Sequence, residues 1–382
     1  MLSVRGGLSY TVSVTIPYRP ALAGLEPYGA PQLDVPVTLN VNENPYPPSA
    51  EMIADIAAAV ADAAASLNRY PDRDFLALRA DLADYLAAES GVRLSPEQVW
   101  AANGSNEVML HILLAFAGPG RTVISFTPTY SMYVEYARDT FSEWQTLPRR
   151  DDFSLDLEKL PEELARIRPA VILLASPNNP TGTALTGDEL SAVLDAAKGN
   201  GPADAPGSDC LVVVDEAYGE FRRDGVPSAL ELLADHDNLI VSRTMSKAFG
   251  AAGLRLGYLG AAKEIVDQLQ IVRLPYHLSA VTQAAARAAL RHSASQLSQI
   301  AALREGRDAI VRRLHSLGLD TAPTDANFVM FGTFPDRSEI FTRVLDRGVL
   351  IREVGPAGWL RVSVGTPEEN EAFFDALEEA MK

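Results

Sequence analysis

The chain has 382 residues, of which 47% are hydrophobic and 22% charged, the proportions of an ordinary globular protein. The formal net charge of −17 argues against nucleic acid or an anionic membrane surface as a partner. The length provides for a large core and for two domains in one subunit.

The cysteine usage favours a reducing compartment. Cys210 is the only cysteine, so an intrachain disulfide is excluded. Residues 1–7 do not form the long apolar stretch of a signal peptide, and no uncharged apolar run reaches the length of a membrane span. We therefore expect a cytoplasmic protein that binds no membrane and no nucleic acid.

The first part of the chain predicts an arm followed by two helices. Residues 1–36 are rich in Gly, Pro and aromatic residues, which is typical of an extended N-terminal arm. Residues 52–67 are alanine-rich and amphipathic and predict a helix. A second helix is predicted from Asp74 to Ala88, with Asp74 as its N-cap.

From Val99 to about Leu259, short apolar strands alternate with helical stretches. This alternation predicts βαβ units and a mostly parallel sheet. The predicted strands are Val99–Ala102, Thr122–Phe126, Val171–Ala175, Leu211–Val214, Leu239–Ser242 and Arg255–Gly260.

A smaller C-terminal unit follows the predicted sheet. A helical stretch from Thr282 to Leu317 leads to further predicted strands, which are Phe328–Phe331, Val349–Ile351 and Leu360–Val364. We therefore divide the chain into the arm 1–36, a large domain 37–275 and a small domain 276–382.

Lys247 is the strongest candidate for covalent chemistry. It directly follows Ser246, and Arg255 comes a short way further along the chain. The planar donors of an arginine match phosphate oxygens in pairs. An amine beside a bound phosphate suits pyridoxal phosphate, because the lysine must form a Schiff base with its aldehyde. The competing interpretation is a solvated surface lysine.

Polar residues follow two of the predicted buried strands. Asn179, in an Asn-Pro turn, comes shortly after Val171–Ala175, and Asp215 directly ends the strand Leu211–Val214. Ligands of open α/β sheets bind at such strand ends. A buried aspartate needs a cationic partner, and a pyridinium nitrogen would provide it. The alternatives are a simple turn for Asn179, and a helix cap or a metal ligand for Asp215. No His or Cys cluster supports the metal.

Taken together, these segments resemble the fold-type I pyridoxal phosphate aminotransferases, from about Tyr28 to the C-terminus. The chain is most similar to the histidinol-phosphate aminotransferases in their actinobacterial form. The motifs that carry this closer resemblance are Asn42–Pro47, Asn103–Glu107, Arg273–Ser279 and Leu360–Thr366.

The resemblance implies a fold and a reaction. The implied fold is α/β, a large domain with a mostly parallel mixed sheet flanked by helices plus a smaller α+β C-terminal domain. The implied reaction is a ping-pong transamination between histidinol phosphate and 2-oxoglutarate, giving imidazole-acetol phosphate and glutamate. An aromatic amino acid aminotransferase, which shares the cofactor residues, is the nearest alternative. A decarboxylase of phosphorylated amino acids and a non-catalytic ligand-binding protein are more remote.

A predicted helix N-terminus supplies a binding site for the cofactor phosphate. Residues 104–106 lie between a predicted strand and a predicted helix, where free amides and the helix dipole attract anions. A plain helix cap is the competing interpretation. The residues that the resemblance assigns to the phosphate are Gly104, Ser105, Asn106, Thr244, Ser246 and Arg255.

The remaining roles are those that the resemblance implies. Tyr130 would stack on the pyridine ring, while Asn179 and Tyr218 would bond its phenolic oxygen. Tyr70 would reach the cofactor phosphate of a partner subunit, so that the active sites form only in a homodimer. The implied substrate-binding residues are Tyr28, Asn44, Arg352 and Arg361, of which Arg361 would receive the anionic end of each substrate.

Simpler structural roles compete with several of these assignments. Core packing competes for Tyr130, a turn position for Tyr70, an exposed strand position for Arg352 and a loop position for Tyr28. His277 receives no catalytic role, because a lone histidine beside Pro275 and Tyr276 is more often structural.

Overall fold

The structure is a computed structural model that describes residues 17–382. Residues 32–382 form one compact unit, and the described residues before them belong to a separate one. Positions 1–16 of the predicted arm lie outside the described residues. Across the described part of the chain, no helix has both the length and the apolar character needed to span a bilayer.

Strands and helices alternate through most of the larger unit. The strands are β1 (Val37–Thr38), β2 (Val99–Ala102), β3 (Thr122–Thr127), β4 (Glu143–Pro148), β5 (Val171–Ala175), β6 (Leu211–Asp215), β7 (Leu239–Thr244), β8 (Gly257–Ala261), β9 (Asp320–Thr321), β10 (Phe328–Gly332), β11 (Val349–Leu350) and β12 (Leu360–Ser363). The helices are α1 (Ala50–Ala64), α2 (Leu76–Ser90), α3 (Gly104–Phe116), α4 (Met132–Asp139), α5 (Leu160–Ile167), α6 (Gly187–Ala197), α7 (Lys263–Val272), α8 (Ala280–Leu290), α9 (Ser293–Ser316), α10 (Arg337–Leu345) and α11 (Pro367–Ala380).

A seven-stranded sheet forms the centre of this unit, in the order β2-β8-β7-β6-β5-β3-β4. The strands from β4 to β7 run parallel, whereas β8 is antiparallel to both of its neighbours. The prediction of a mostly parallel sheet is therefore confirmed. Every residue of β5 and of β6 is buried, because both faces of the sheet are covered.

Strand β4 is absent from the sequence prediction. It lies at the edge of the sheet, pairs only with β3, and alternates between half-buried and exposed positions. Its sequence, Glu-Trp-Gln-Thr-Leu-Pro, therefore contains no continuous apolar run that would indicate a strand.

A second apolar cluster surrounds the C-terminal strands. The strands β12, β10 and β9 form an antiparallel sheet, and β1 pairs in parallel with β11. Phe328, Phe331 and Phe373 are fully buried in this cluster. Beyond β1, the carbonyl of Leu39 accepts from the Ser363 amide at 2.9 Å, so the chain after β1 runs beside β12.

Two helix predictions are wrong in detail. The helix α2 begins at Leu76, after Phe75 in a left-handed conformation (φ 39°), so Asp74 is not its cap. Asp74 is instead held by ion pairs to Arg273 (2.8 Å) and Arg73 (2.7 Å), which outweigh its local preference. The helical stretch 282–317 is two helices, α8 and α9, interrupted between them, where His292 contacts Asp55 at 2.9 Å.

Candidate active site

Three parallel strands bring the candidate residues to one edge of the central sheet. Ala175 at the end of β5 lies opposite Asp215 of β6, and Asp215 lies opposite Ser242 of β7. Asn179 follows β5 and Lys247 follows β7 within a few residues. Because the carboxyl ends of parallel strands share an edge, this is where an open α/β sheet binds its ligands.

Lys247 has an amine that is easily deprotonated. Its Nζ donates to the carbonyl of Val41 at 2.7 Å and lies 5.9 Å from the centre of the Tyr218 ring. Burial lowers the pKa of this amine to about 8, and the positive charges of Arg361 and Arg255 act in the same direction. A lysine in this state is a nucleophile and a base, unlike an ordinary surface lysine.

Asp215 is a buried carboxylate bound by neutral donors. Its oxygens accept from the hydroxyls of Ser242 and Tyr133, each at 3.0 Å. Burial raises the pKa of this carboxyl group, and the two hydroxyl bonds offset only part of that effect. Among residues 17–382, no cation forms an ion pair with it. A positively charged group that reached Asp215 would therefore be strongly favoured.

Two glycines allow the N-terminus of α3 to approach Arg255. A Cβ at Gly104 would lie 2.6 Å from Arg255 Nη2, and a Cβ at Gly257 would lie 2.2 Å from the backbone nitrogen of Ser105. Both distances are shorter than real side chains permit. Position 257 therefore requires glycine against the backbone of α3, and Gly104, at a φ of 81°, has a conformation that other residues rarely adopt.

Hydroxyl groups complete this anion cradle. Ser246 Oγ accepts from Thr244 Oγ1 at 3.0 Å and from Arg255 Nη1 at 3.4 Å. The amides at the start of α3, including that of Asn106, have no partner within the helix. Asn106 Oδ1 accepts from the Tyr136 hydroxyl at 2.8 Å, which fixes this first turn. The arrangement suits a phosphate group.

Asn179 connects Tyr218 to Arg361. Its Nδ2 donates to the Tyr218 hydroxyl at 3.4 Å, and its Oδ1 accepts from Arg361 Nη1. Arg361 is buried, and its other terminal nitrogen donates to the carbonyl of Asn40 at 2.8 Å. The Arg361 guanidinium group and the Tyr218 hydroxyl thus belong to one hydrogen-bonded network.

Arg352 lies directly beside Arg361. The backbones of the two residues form an antiparallel bridge and exchange two hydrogen bonds of 2.9 Å. Residues paired in this way project their side chains from the same face. The two guanidinium groups therefore belong to the same face of these two paired backbone segments.

The other predicted residues have different surroundings. The ring of Tyr130 packs edge-on against Tyr133, with the ring centres 5.5 Å apart. Asn44 Nδ2 donates to the carbonyl of Ala248, next to Lys247, at 3.2 Å. Asn44 thus holds the loop that carries the lysine.

Two predicted tyrosines have surroundings of another kind. Tyr70 is 81% exposed and stacks on Tyr276, with the ring centres 4.5 Å apart. Tyr28 is 47% exposed and belongs to the separate N-terminal unit. The stacking on Tyr276 is thus the contact that the structure gives for Tyr70.

His277 has a structural environment. Its ring stacks on Trp100, with the ring centres 5.3 Å apart, and its Nε2 bonds the carbonyl of Ala101 at 2.9 Å. Burial lowers the pKa of this imidazole. Its backbone carbonyl accepts from Asn103 Nδ2 at 2.9 Å, just before α3.

Sequence reasoning missed two residues of the site, Asn42 and Tyr133. Tyr133 donates to Asp215, and Asn42 Nδ2 donates to the Tyr218 hydroxyl at 2.9 Å. Asn42 belongs to the motif Asn42–Pro47, which signalled its importance without indicating a contact. Tyr133 lies in the helix α4, where an aromatic residue usually indicates only core packing.

A cavity of about 510 Å³ borders the site beside Tyr130. Trp144, Val134 and Pro180 provide apolar walls, and the loop 354–356, which follows Arg352, closes one side. Pro180 directly follows Asn179. The site therefore has room for an apolar or aromatic group next to the hydrogen-bonded residues Asn179, Tyr218 and Arg361.

Comparison with known proteins identifies a family over most of the chain. Residues 35–377 match the family of class I and II aminotransferases. A histidinol-phosphate aminotransferase of Burkholderia lata is 57% identical over 366 residues, which are 96% of this chain and 96% of that protein. The histidinol-phosphate aminotransferase of Bifidobacterium adolescentis is 53% identical over 381 residues, 98% of this chain and 97% of that protein.

A solved structure agrees with these relatives. The histidinol-phosphate aminotransferase of Sinorhizobium meliloti, in complex with pyridoxal-5'-phosphate, superposes with a TM-score of 0.83 at 25% identity. The match covers 97% of this chain and 98% of that one.

Proposed function

The chain belongs to the class I and II aminotransferases, and from that premise we propose that it exchanges an amino group between L-histidinol phosphate and 2-oxoglutarate. The products are imidazole-acetol phosphate and L-glutamate, and the reverse direction serves histidine biosynthesis. Relatives that carry this activity in their names, at more than half identical residues, support the choice of substrate. The structural observation that carries the proposal is the amine of Lys247, whose pKa is lowered by burial and by the positive charge of Arg361.

The residues of the site fit pyridoxal phosphate. Glycine at positions 104 and 257 allows the close approach at the start of α3, and Arg255 faces this cradle. Asp215 is a buried carboxylate without a cationic partner among the described residues, as a pyridinium nitrogen requires. When bound, the cofactor supplies an electron-withdrawing ring that stabilises negative charge at the substrate's α-carbon.

The role of Lys247 follows from its pKa. Only the neutral amine can accept a proton, and at a pKa of about 8 roughly a tenth of it is neutral at pH 7. We propose that Nζ removes the proton from the α-carbon of the substrate and holds it for return. Val41, whose carbonyl binds Nζ at 2.7 Å, keeps the amine at this place between steps.

The remaining residues bind and orient the two molecules. Asn179 and Tyr218 hold the phenolic oxygen of the cofactor, and Tyr130 covers its ring. Arg361 binds the anionic end of each substrate, and the neighbouring Arg352 adds a second positive charge for a phosphate or a second carboxylate. Local arginines are needed because the whole protein, at −17, repels anions.

We also propose a homodimer with shared active sites, in the cytoplasm. Large apolar side chains are exposed in two neighbouring segments, namely Leu67, Tyr70, Ile271, Leu274 and Tyr276. Such a patch is typical of a contact surface. In the dimer, Tyr70 reaches the cofactor phosphate of the other subunit. The buried free thiol of Cys210 is compatible with a reducing cytoplasm.

An assay of both substrates tests the proposal. Purified protein incubated with pyridoxal phosphate, L-histidinol phosphate and 2-oxoglutarate is expected to form glutamate at a rate that saturates in each substrate. L-phenylalanine in place of histidinol phosphate is expected to be a much poorer donor. A preference for phenylalanine would replace the proposal with an aromatic amino acid aminotransferase.

A further inference from the structure

Asn42 is a buried residue in which each polar atom makes a hydrogen bond. Its Nδ2 donates to the Tyr218 hydroxyl at 2.9 Å, and its Oδ1 accepts from Ser363 Oγ at 3.0 Å. Its backbone N–H donates to the same Ser363 oxygen at 2.9 Å. Its carbonyl accepts from Asn327 Nδ2 at 3.1 Å. The residue is only 2% exposed, so these bonds are shielded from water.

The segment from Asn40 to Asn42 contacts three functional parts of the site, because the carbonyl of Asn40 accepts from Arg361. Tyr218 is the hydroxyl proposed for the cofactor ring, and Ser363 lies on β12, two residues after Arg361. Directly before Asn42, the carbonyl of Val41 accepts the amine of Lys247. The cofactor hydroxyl, the substrate arginine and the lysine are thus held by one short segment.

The backbone at position 42 restricts which residues can replace asparagine. Asn42 has a φ of 57°, in the left-handed region. Glycine, asparagine and aspartate enter this region most readily. Aspartate and glycine therefore serve as variants that keep the backbone and change only the side chain.

We propose that Asn42 is a positioning residue for the transamination: its amide turns the proton of the Tyr218 hydroxyl toward the cofactor. A hydroxyl that accepts from Asn42 Nδ2 must direct its own proton elsewhere. The second amide at this oxygen, Asn179 Nδ2, is also a donor, so neither amide accepts the hydroxyl proton. The inference rests on the proposed function, because it concerns the phenolic oxygen of the cofactor.

A hydroxyl donor at that oxygen has a measurable consequence. It stabilises negative charge on the oxygen, which lowers the pKa at which the visible absorbance of the bound cofactor changes. If the donor is lost, that absorbance pKa rises. A change in mere packing or stability would not move it.

The experiment titrates the absorbance of the protein loaded with pyridoxal phosphate between pH 5 and 10. In Asn42→Asp, the side chain can only accept, so it captures the Tyr218 proton and adds a negative charge. In Asn42→Gly, the amide is removed without adding charge. We expect the absorbance pKa to rise by about one unit in both variants, with kcat roughly tenfold lower and a smaller change in KM.

Two further variants serve as comparisons. Ser363→Ala removes the hydroxyl that orients the Asn42 amide, and it should shift the pKa in the same direction by a smaller amount. Asn200→Asp makes the same chemical change as Asn42→Asp at a surface loop, where Nδ2 only bonds the carbonyl of Ala196. This control should leave the titration unchanged.

The outcomes separate this inference from the proposed function. Asn42→Asp and Asn42→Gly proteins that bind the cofactor with a wild-type titration would overturn the role of Asn42 alone. If Asn42→Gly does not fold, Asn42→Asp decides. Wild-type protein that develops no visible absorbance with pyridoxal phosphate would overturn the proposed function, and this inference with it.

Discussion

Asp215 and Glu216 are neighbouring buried carboxylates on opposite faces of the central sheet, and their partners differ. Glu216 accepts from Arg243 at 2.6 Å, and also from Ser228 Oγ at 2.8 Å and the Ala229 amide at 2.7 Å. Arg243 is completely buried. Asp215 is bound by two neutral hydroxyls, and burial raises its pKa.

The different partners of the two carboxylates indicate different roles for the two faces of the sheet. On the Glu216 face, the protein contains both members of the ion pair, so each charge is compensated within the fold and requires no ligand. On the Asp215 face, the protein contains the carboxylate, and we propose that the cofactor brings the positive charge. Two adjacent residues, the last of β6 and the one after it, thus separate an ion pair within the protein from a proposed binding site.

The largest effect is expected from Lys247→Ala. This variant should lose turnover almost completely, because no other side chain can replace the amine at the α-carbon. It should also lose the mass gain that borohydride reduction in the presence of pyridoxal phosphate produces in the wild type. Wild-type turnover in Lys247→Ala would contradict the assignment of Lys247 as the residue that bonds the cofactor covalently. The distinction between the two faces would then fail as well.

The comparison of Asp215→Asn with Glu216→Gln tests the two faces directly. Asp215→Asn should reduce kcat/KM by on the order of a hundredfold, since an amide does not keep a pyridinium nitrogen protonated. The unfolding temperature of the cofactor-free protein should change little.

Glu216→Gln should show the reverse pattern. It breaks a buried ion pair, so the free energy of unfolding should fall by about 3 kcal/mol. The kcat of the folded enzyme at low temperature should stay near that of the wild type. If both variants lost activity equally at equal stability, the two faces would not be functionally separate.

A mixing experiment tests whether the site on the Asp215 face needs Tyr70 from a second subunit. Lys247→Ala and Tyr70→Ala subunits are denatured together and refolded. If Tyr70 acts across the interface, hybrid dimers contain one intact site each, and about a quarter of the wild-type activity should return. Without any recovery over the separate variants, Tyr70 would have to act within its own subunit.

The smallest effect concerns the pH at which Lys247 becomes reactive. Only the neutral amine attacks an aldehyde, and the pKa of Lys247 is lowered to about 8. The rate at which the cofactor-free protein captures pyridoxal phosphate should therefore rise with pH and level off just above 8. A rate that continues to climb toward the ordinary lysine value of 10.5 would show that the amine is unperturbed.

The sequence predicted well which polar residues follow the buried strands, because a buried strand and the residues after it form a local pattern. Lys247, Asp215 and Asn179 lie together at one edge of the sheet, as the positions of their strands implied. The fold class and the aminotransferase family are confirmed by the structure and by the comparisons. The assignment of the individual site residues remains a proposal.

Long-range contacts account for what the sequence could not predict. Asn42 bonds Ser363, 321 positions away, and no local pattern reports such a contact. Asp74 looked like a helix cap from its neighbours alone, but Arg273, 199 positions away, determines where its carboxylate lies. Edge strand β4 has too little apolar character to be recognised without its partner β3.

The bridge between Arg352 and Arg361 has a consequence for how the protein responds to ionic strength. At a net charge of −17, the molecule as a whole slows the approach of a dianion such as 2-oxoglutarate, while the two arginines attract it only at short range. Added salt shortens the reach of the general repulsion first, since exposed charges are screened more than enclosed ones. Moderate salt should therefore hasten the capture of this anion, the opposite of what a positively charged enzyme would show.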